Sequence, residues 1–180
     1  MKLDRNRAAL AVIDVQEGFR PAVLDFEKVA HNVAVLVQAA RILGVPVLVT
    51  EQYPKGLGAT VPEVAEHLEG ISPIEKVCFS AVEANGFYAE LSEGERDQVV
   101  LCGIEAHVCV NQTAEDLLAY GRGVHVAADA VTSRTPENRD LGLHKMERSG
   151  AVLTSVETAL FELLREAGTP EFKEIQALVK

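Results

Sequence analysis

Val99-Val100-Leu101-Cys102-Gly103-Ile104-Glu105-Ala106-His107-Val108-Cys109-Val110 joins two different kinds of chain. From Asp97 to Gly103 the run is almost continuously apolar, the pattern of a strand buried on both faces. From Val108 to Tyr120 the apolar residues Val110, Ala114, Leu117 and Leu118 fall on one helical face, and Gly121 and Gly123 end the helix. Cys109 therefore stands between the carboxyl end of a strand and the amino end of a helix. Open α/β sheets bind ligands along that edge. Free amide N–H groups and the helix dipole there favour a thiolate.

The same alternation extends in both directions. Ala8-Ala9-Leu10-Ala11-Val12-Ile13 reads as a buried strand ending at Asp14. A helix over 26–43 follows, with Val29, Val33, Leu36, Val37 and Ala40 at three- and four-residue steps and Gly44 closing it. The second strand is Val45 to Thr50, with Pro46 near its start, where a missing N–H costs least. A loop rich in glycine and proline runs from Glu51 to Thr60, and 61–68 predicts a short helix. Residues 71–77 make a weaker strand ending near Lys76, and 81–92 a helix. After the central unit come a strand at 124–128, a helix at 137–149 and a short strand at 151–153. Helices at 157–166 and 171–178 complete the chain. Strand and helix alternating throughout predict one domain over 1–180: a three-layer, doubly wound α/β fold around a mostly parallel sheet of about six strands.

Composition limits the partners. The chain has 180 residues, 48% of them hydrophobic and 24% charged, with a formal net charge of −10. That surface opposes binding to nucleic acid or to an anionic membrane, both of which call for basic patches. No apolar run approaches the roughly 20 residues that cross a bilayer. The run from Ala8 to Ile13 is too short for the core of a signal sequence. Cys78, Cys102 and Cys109 lack the spacing of a zinc site, and three thiols cannot all pair within one chain. These features lead us to expect a cytoplasmic protein acting on a small-molecule substrate.

Residues just beyond parallel strands converge even when they are distant in sequence. Three of them make coherent chemistry: Asp14 after the first strand, Lys76 after the third, and Cys109. A thiol needs a neighbouring base or positive charge to act as a nucleophile. Asp14 can take its proton and return it to a leaving group, while Lys76 offsets the negative charge. Each residue also has a plainer reading. Asp14 alone reads as a helix cap, Lys76 as a surface charge, and Cys109 as small buried filler. Cys102 reads as core and Cys78 as packing.

The chain resembles the isochorismatase-like hydrolases, also called cysteine hydrolases, over nearly its whole length. Three stretches carry the resemblance: Ala11-Val12-Ile13-Asp14-Val15-Gln16; Ile74-Glu75-Lys76 with Phe79-Ser80; and Leu101-Cys102-Gly103-Ile104-Glu105-Ala106-His107-Val108-Cys109-Val110. The loop Thr50-Glu51-Gln52-Tyr53-Pro54-Lys55-Gly56-Leu57-Gly58 and the ending Val152-Leu153-Thr154-Ser155-Val156-Glu157 are similar to the isochorismatase domain-containing subgroup. The resemblance implies a catalytic triad of Asp14, Lys76 and Cys109. It also implies a cis peptide at Ile104–Glu105 and an oxyanion hole formed by the backbone N–H groups of Glu105 and Cys109. Two such donors each lower a barrier by about 3 kcal/mol.

Metal-dependent nicotinamidases of the family carry Asp-x-His after the second strand. Here the position reads Thr50-Glu51-Gln52-Tyr53-Pro54, so no metal and no cofactor are expected. Retention of Cys109 points to hydrolysis of a small amide or ester through a thioester. Two alternatives stand beside it: vinyl ether hydrolysis with Asp14 as general acid, and a non-catalytic ligand-binding or scaffold role. Gln16, Phe19, Tyr53 and Phe79 are the expected pocket residues. His107 is either a substrate contact or alternative base, or a loop histidine without catalytic duty. Family resemblance also implies a homo-oligomer, a dimer or larger.

Overall fold

In the computed structural model, which describes residues 2–94 and 96–180, strand and helix alternate about one six-stranded sheet. Met1 and Glu95 lie outside the described residues. The elements in chain order are β1 (Ala8–Ile13), α1 (Phe26–Ile42), β2 (Val47–Gln52), α2 (Pro54–Leu57), α3 (Pro62–Ala65), β3 (Ile74–Lys76) and α4 (Phe87–Glu93). They continue with β4 (Gln98–Ile104), α5 (Asn111–Ala119), β5 (Gly123–Thr132), α6 (Pro136–Arg148), β6 (Val152–Thr154), α7 (Val156–Leu164) and α8 (Pro170–Leu178). The sheet order is β3-β2-β1-β4-β5-β6, and every pairing is parallel.

Two apolar layers cover the sheet. The central strands β1 and β4 are almost wholly apolar because both of their faces are buried. In β1, Leu10 and Val12 pack toward α1, α7 and α8, whereas Ala9, Ala11 and Ile13 pack toward α4, α5 and α6. α1 buries the face bearing Val29, Val33, Leu36, Val37 and Ala40. Gly44, at φ 67°, turns the chain out of that helix, and the Val45 N–H donates to the Ala40 carbonyl at 2.8 Å.

Several elements differ from their sequence signal for local reasons. Ser72-Pro73 precedes a third strand of only three residues, Ile74–Lys76. The predicted helix over 81–92 is interrupted: a 3-10 turn occupies Ala81–Glu83, and Gly86, at φ 95°, precedes α4. β5 runs well past Ala128. Its pairing with β4 jumps from Leu101↔Val126 to Gly103↔Val131, so extra residues bulge out around Asp129. Arg139 fills the gap left in the ladder, its Nε donating to the Val131 carbonyl at 3.2 Å and its Nη2 to the Ala128 carbonyl.

The chain leaves β1 to build β2 and β3 on one side, then returns to build β4, β5 and β6 on the other. The switch lies between β1 and β4, where the connections diverge at the carboxyl ends of the strands, the edge at which open α/β sheets bind ligands. Asp14 and the turn after β4 meet there.

Candidate active site

Asp14 follows β1 directly and is fully buried, with its backbone in the left-handed region at φ 52°. Its carboxylate is held by two partners. Thr50 at the end of β2 donates from Oγ1 to Oδ1 at 2.7 Å, and Lys76 donates from Nζ to Oδ2 at 2.7 Å. Lys76 ends β3 and reaches across β2 to make this pair. The Gln52 Oε1 at 2.7 Å, the Phe79 carbonyl at 3.0 Å and the Cys78 carbonyl at 3.3 Å also surround the ammonium. Both side chains of the ion pair are fully enclosed. A pair so buried is costly to assemble and costly to halve, because either partner alone leaves an uncompensated charge.

Two glycines let the backbone close around this point. Gly103 in β4, at φ 120°, lies against Ile13, and a Cβ on it would stand 2.0 Å from the Ile13 carbonyl oxygen. Gly142 in α6 presses on the turn after β4, where a Cβ would stand 2.6 Å from the carbonyl carbon and oxygen of Ala106. That turn is a π-helical one over Ala106–Val110, shifting the regular start of α5 to Asn111. Cys109 lies inside it, 4% exposed, and the Ile104–Glu105 peptide before it is cis. Thr113 ties the turn down by donating to the Cys109 carbonyl at 2.7 Å while accepting from the Ala81 N–H at 2.9 Å.

The thiol lies within reach of both charged partners. Burial and the Asp14 charge push Cys109 up to about 12, with Lys76 opposing them. Burial and the buried carboxylate thus work against the thiolate that the helix end was expected to favour. Cys102 is raised by burial alone, as a core thiol should be.

The remaining sequence candidates separate. Gln16 is fully buried and engaged by backbone: its Nε2 donates to the carbonyls of Gly58 at 2.7 Å and Gln52 at 3.0 Å, and its Oε1 accepts from the Gln52 N–H at 2.7 Å. It braces β2 against the following loop. Phe19 is half-buried against the α1 side of the core. Tyr53 and Phe79 are exposed, and Tyr53 lines a hollow of about 350 Å³ with Pro54, Lys55, Glu75, Lys76 and Val77. His107 points its Nδ1 at Ser133 Oγ, 3.0 Å away, and at Glu105 Oε2, 3.6 Å away. Glu105 is in turn forked by Arg134, with contacts of 2.7, 3.0 and 3.1 Å.

Thr50, Gln52, Thr113, Ser133 and Arg134 carry much of this network without any sequence signal singling them out as site residues. Thr50 was legible only as the end of the second strand and Gln52 only as part of the loop after it, and Ser133 and Arg134 lie beyond the predicted end of their strand. Among the described residues no three His, Cys, Asp or Glu side chains form a group that would hold a metal ion. Nor is any helix among them long and apolar enough to cross a membrane.

Known proteins share this arrangement of elements. The isochorismatase domain model matches residues 8–158. Isochorismatase domain-containing protein 2 of Danio rerio is 44% identical over 178 residues, covering 99% of this chain and 89% of its own. The structure of MAR1 ribonuclease from Caenorhabditis elegans superposes with a TM-score of 0.94 at 41% identity, covering 99% of this chain and 92% of that one. YcaC from Pseudomonas aeruginosa, solved with hexane-2,5-diol and covalent acrylamide, gives 0.91 at 27%, covering 98% and 91%. A family model spanning the sheet from β1 to β6, and relatives alike along almost the entire chain, make this protein a member of the isochorismatase-domain family.

Proposed function

We propose that the protein is a metal-independent cysteine hydrolase of small amides or esters, working through a Cys109 thioester. The observation that carries this reading is the enclosed Asp14–Lys76 pair, 2.7 Å apart, whose fields both act on the Cys109 thiol. Asp14 serves as base. It takes the Sγ proton as sulfur attacks the carbonyl carbon, so the nucleophile forms only when a substrate is present. The S–C bond forms, the carbonyl π pair moves to oxygen, and the N–H groups of Glu105 and Cys109 stabilise the oxyanion. Collapse of that intermediate breaks the C–N or C–O bond, and Asp14 returns its proton to the leaving group. Asp14 then deprotonates a water that attacks the thioester, and the proton passes back to sulfur as the acid departs. Lys76 keeps the carboxylate oriented throughout and compensates its charge.

Metal-independent chemistry is supported by the residues at the family's metal-ligand position. Gln52 there is a neutral amide already committed to Lys76 at 2.7 Å. The P. aeruginosa relative holds covalent acrylamide, a small amide electrophile. The test is a panel of small amides and esters assayed with wild type, Cys109→Ala and Asp14→Asn, with intact-protein mass watching for an acyl adduct. Both variants should fold, lose turnover and form no adduct. An RNA oligonucleotide belongs in the panel because the C. elegans relative is described as a ribonuclease. Turnover that survives Cys109→Ala would sink covalent catalysis, and a vinyl ether added to the panel and cleaved by both wild type and that variant would favour vinyl ether hydrolysis with Asp14 as acid.

A further inference from the structure

We infer that Arg134 and the side chain of Glu105 are positioning residues for the oxyanion turn, an inference that rests on the hydrolase reading. Glu105 plays two roles. Its N–H belongs to the proposed oxyanion hole, while its carboxylate points inward and is only 3% exposed. A buried carboxylate needs a partner, and Arg134 supplies a fork from outside: Nη2 donates to Oε1 at 2.7 Å, and Nε donates to Oε1 at 3.0 Å and to Oε2 at 3.1 Å. The guanidinium is itself 61% exposed, so it closes over the carboxylate like a cover. His107 Nδ1 stands 3.6 Å from Oε2, and the same nitrogen lies 3.0 Å from Oγ of the fully buried Ser133.

Ser133 and Arg134 sit between β5 and α6, and Gly142 of α6 presses on the Ala106 carbonyl. One βα connection therefore grips the turn after β4 at Glu105, Ala106 and His107. Fixing the Glu105 side chain at three points limits rotation of the residue whose N–H must meet the oxyanion. Small displacements of such a donor are expensive, because its whole contribution depends on distance and direction. Arg134 touches no reacting atom. It acts through Glu105.

The experiment compares two reactions at Cys109 in the full chain. Acetylation by p-nitrophenyl acetate develops a tetrahedral oxyanion on the attacked carbonyl, whereas disulfide formation with methyl methanethiosulfonate displaces methanesulfinate from sulfur and passes through no tetrahedral oxyanion. Intact mass and the Cys109→Ala control assign each label to the thiol. Arg134→Gln should slow acetylation about tenfold or more while the thiosulfonate rate stays within about twofold of wild type. Arg134→Lys should restore part of the loss, since it returns the charge without the fork. Should Arg134→Gln fail to fold, Glu105→Gln is the isosteric second variant and should show the same selective loss. Wild-type acetylation in the folded variant overturns the inference, as does an equal fall in both rates, which would make the pair merely structural. A wild-type protein that takes the thiosulfonate but never an acetyl group at Cys109 overturns the hydrolase reading itself.

Discussion

In the proposed mechanism Asp14 receives the thiol's proton, while its charge also raises that thiol, and the two make opposite demands on any substitution. In Asp14→Asn the base is gone, so hydrolysis should vanish. The same change removes a negative charge and leaves Lys76 facing the sulfur, so the Cys109 pKa should fall below its value of about 12. Alkylation by iodoacetamide at pH 8 should then run faster in the inactive variant than in wild type. An unchanged or slower rate would contradict the electrostatic account of the site. Lys76→Met presents the reverse case: a buried carboxylate without its cation, with an expected stability loss of about 3–5 kcal/mol by urea unfolding. The meeting of Asp14, Lys76 and the Cys109 turn at one edge was legible because charged or thiol residues at the ends of apolar strands are conspicuous. Nothing local in the sequence tells an amide that faces a pocket from one locked, like that of Gln16, onto Gly58 and Gln52.

Between elements, the site depends on how closely strands and helices approach. The Gly142 contact on Ala106 sets where α6 stops against the nucleophile's turn. Gly142→Ala must push that turn or the helix aside. It should cost about 1–3 kcal/mol in urea unfolding, with hydrolysis falling further than the unfolded fraction explains. Normal activity at unchanged stability would mean that the turn has slack. Long amphipathic elements such as α1 were readable from periodicity, because a repeating apolar face admits one geometry. The bulge in β5 was not readable: Asp129 breaks the apolar run, which looks like the end of a strand. It becomes an interior irregularity only because Arg139 supplies the missing donors to Ala128 and Val131.

Across the molecule, buried titratable groups should shape stability against pH. His125 in β5 is almost fully buried, both its ring nitrogens lack partners among the described residues, and burial lowers its pKa. Only the unfolded chain then takes up its proton near the ordinary value of 6.5, so stability falls as pH drops through that region. Cys102 and Cys109 act at the other end. Both are raised above 9.0, so the unfolded chain loses protons first and stability falls as pH rises through that value. Thermal unfolding from pH 5 to 10 should trace a dome, and His125→Leu should flatten its acid side. A variant with the wild-type acid limb would exclude His125 as the cause. The sequence by itself determined the alternation of buried strands and amphipathic helices, and therefore the parallel sheet, because burial on two faces leaves its mark on every strand. It also determined that Asp14, Lys76 and the Cys109 turn lie at one edge, since parallel strands end together. Only the folded chain decided that β1 and β4 are neighbours at the switch point, that burial and Asp14 raise the Cys109 thiol, and that Arg134 grips Glu105. Those outcomes depend on distance, desolvation and contacts between distant segments, none of which is a property of a residue's neighbours in the chain.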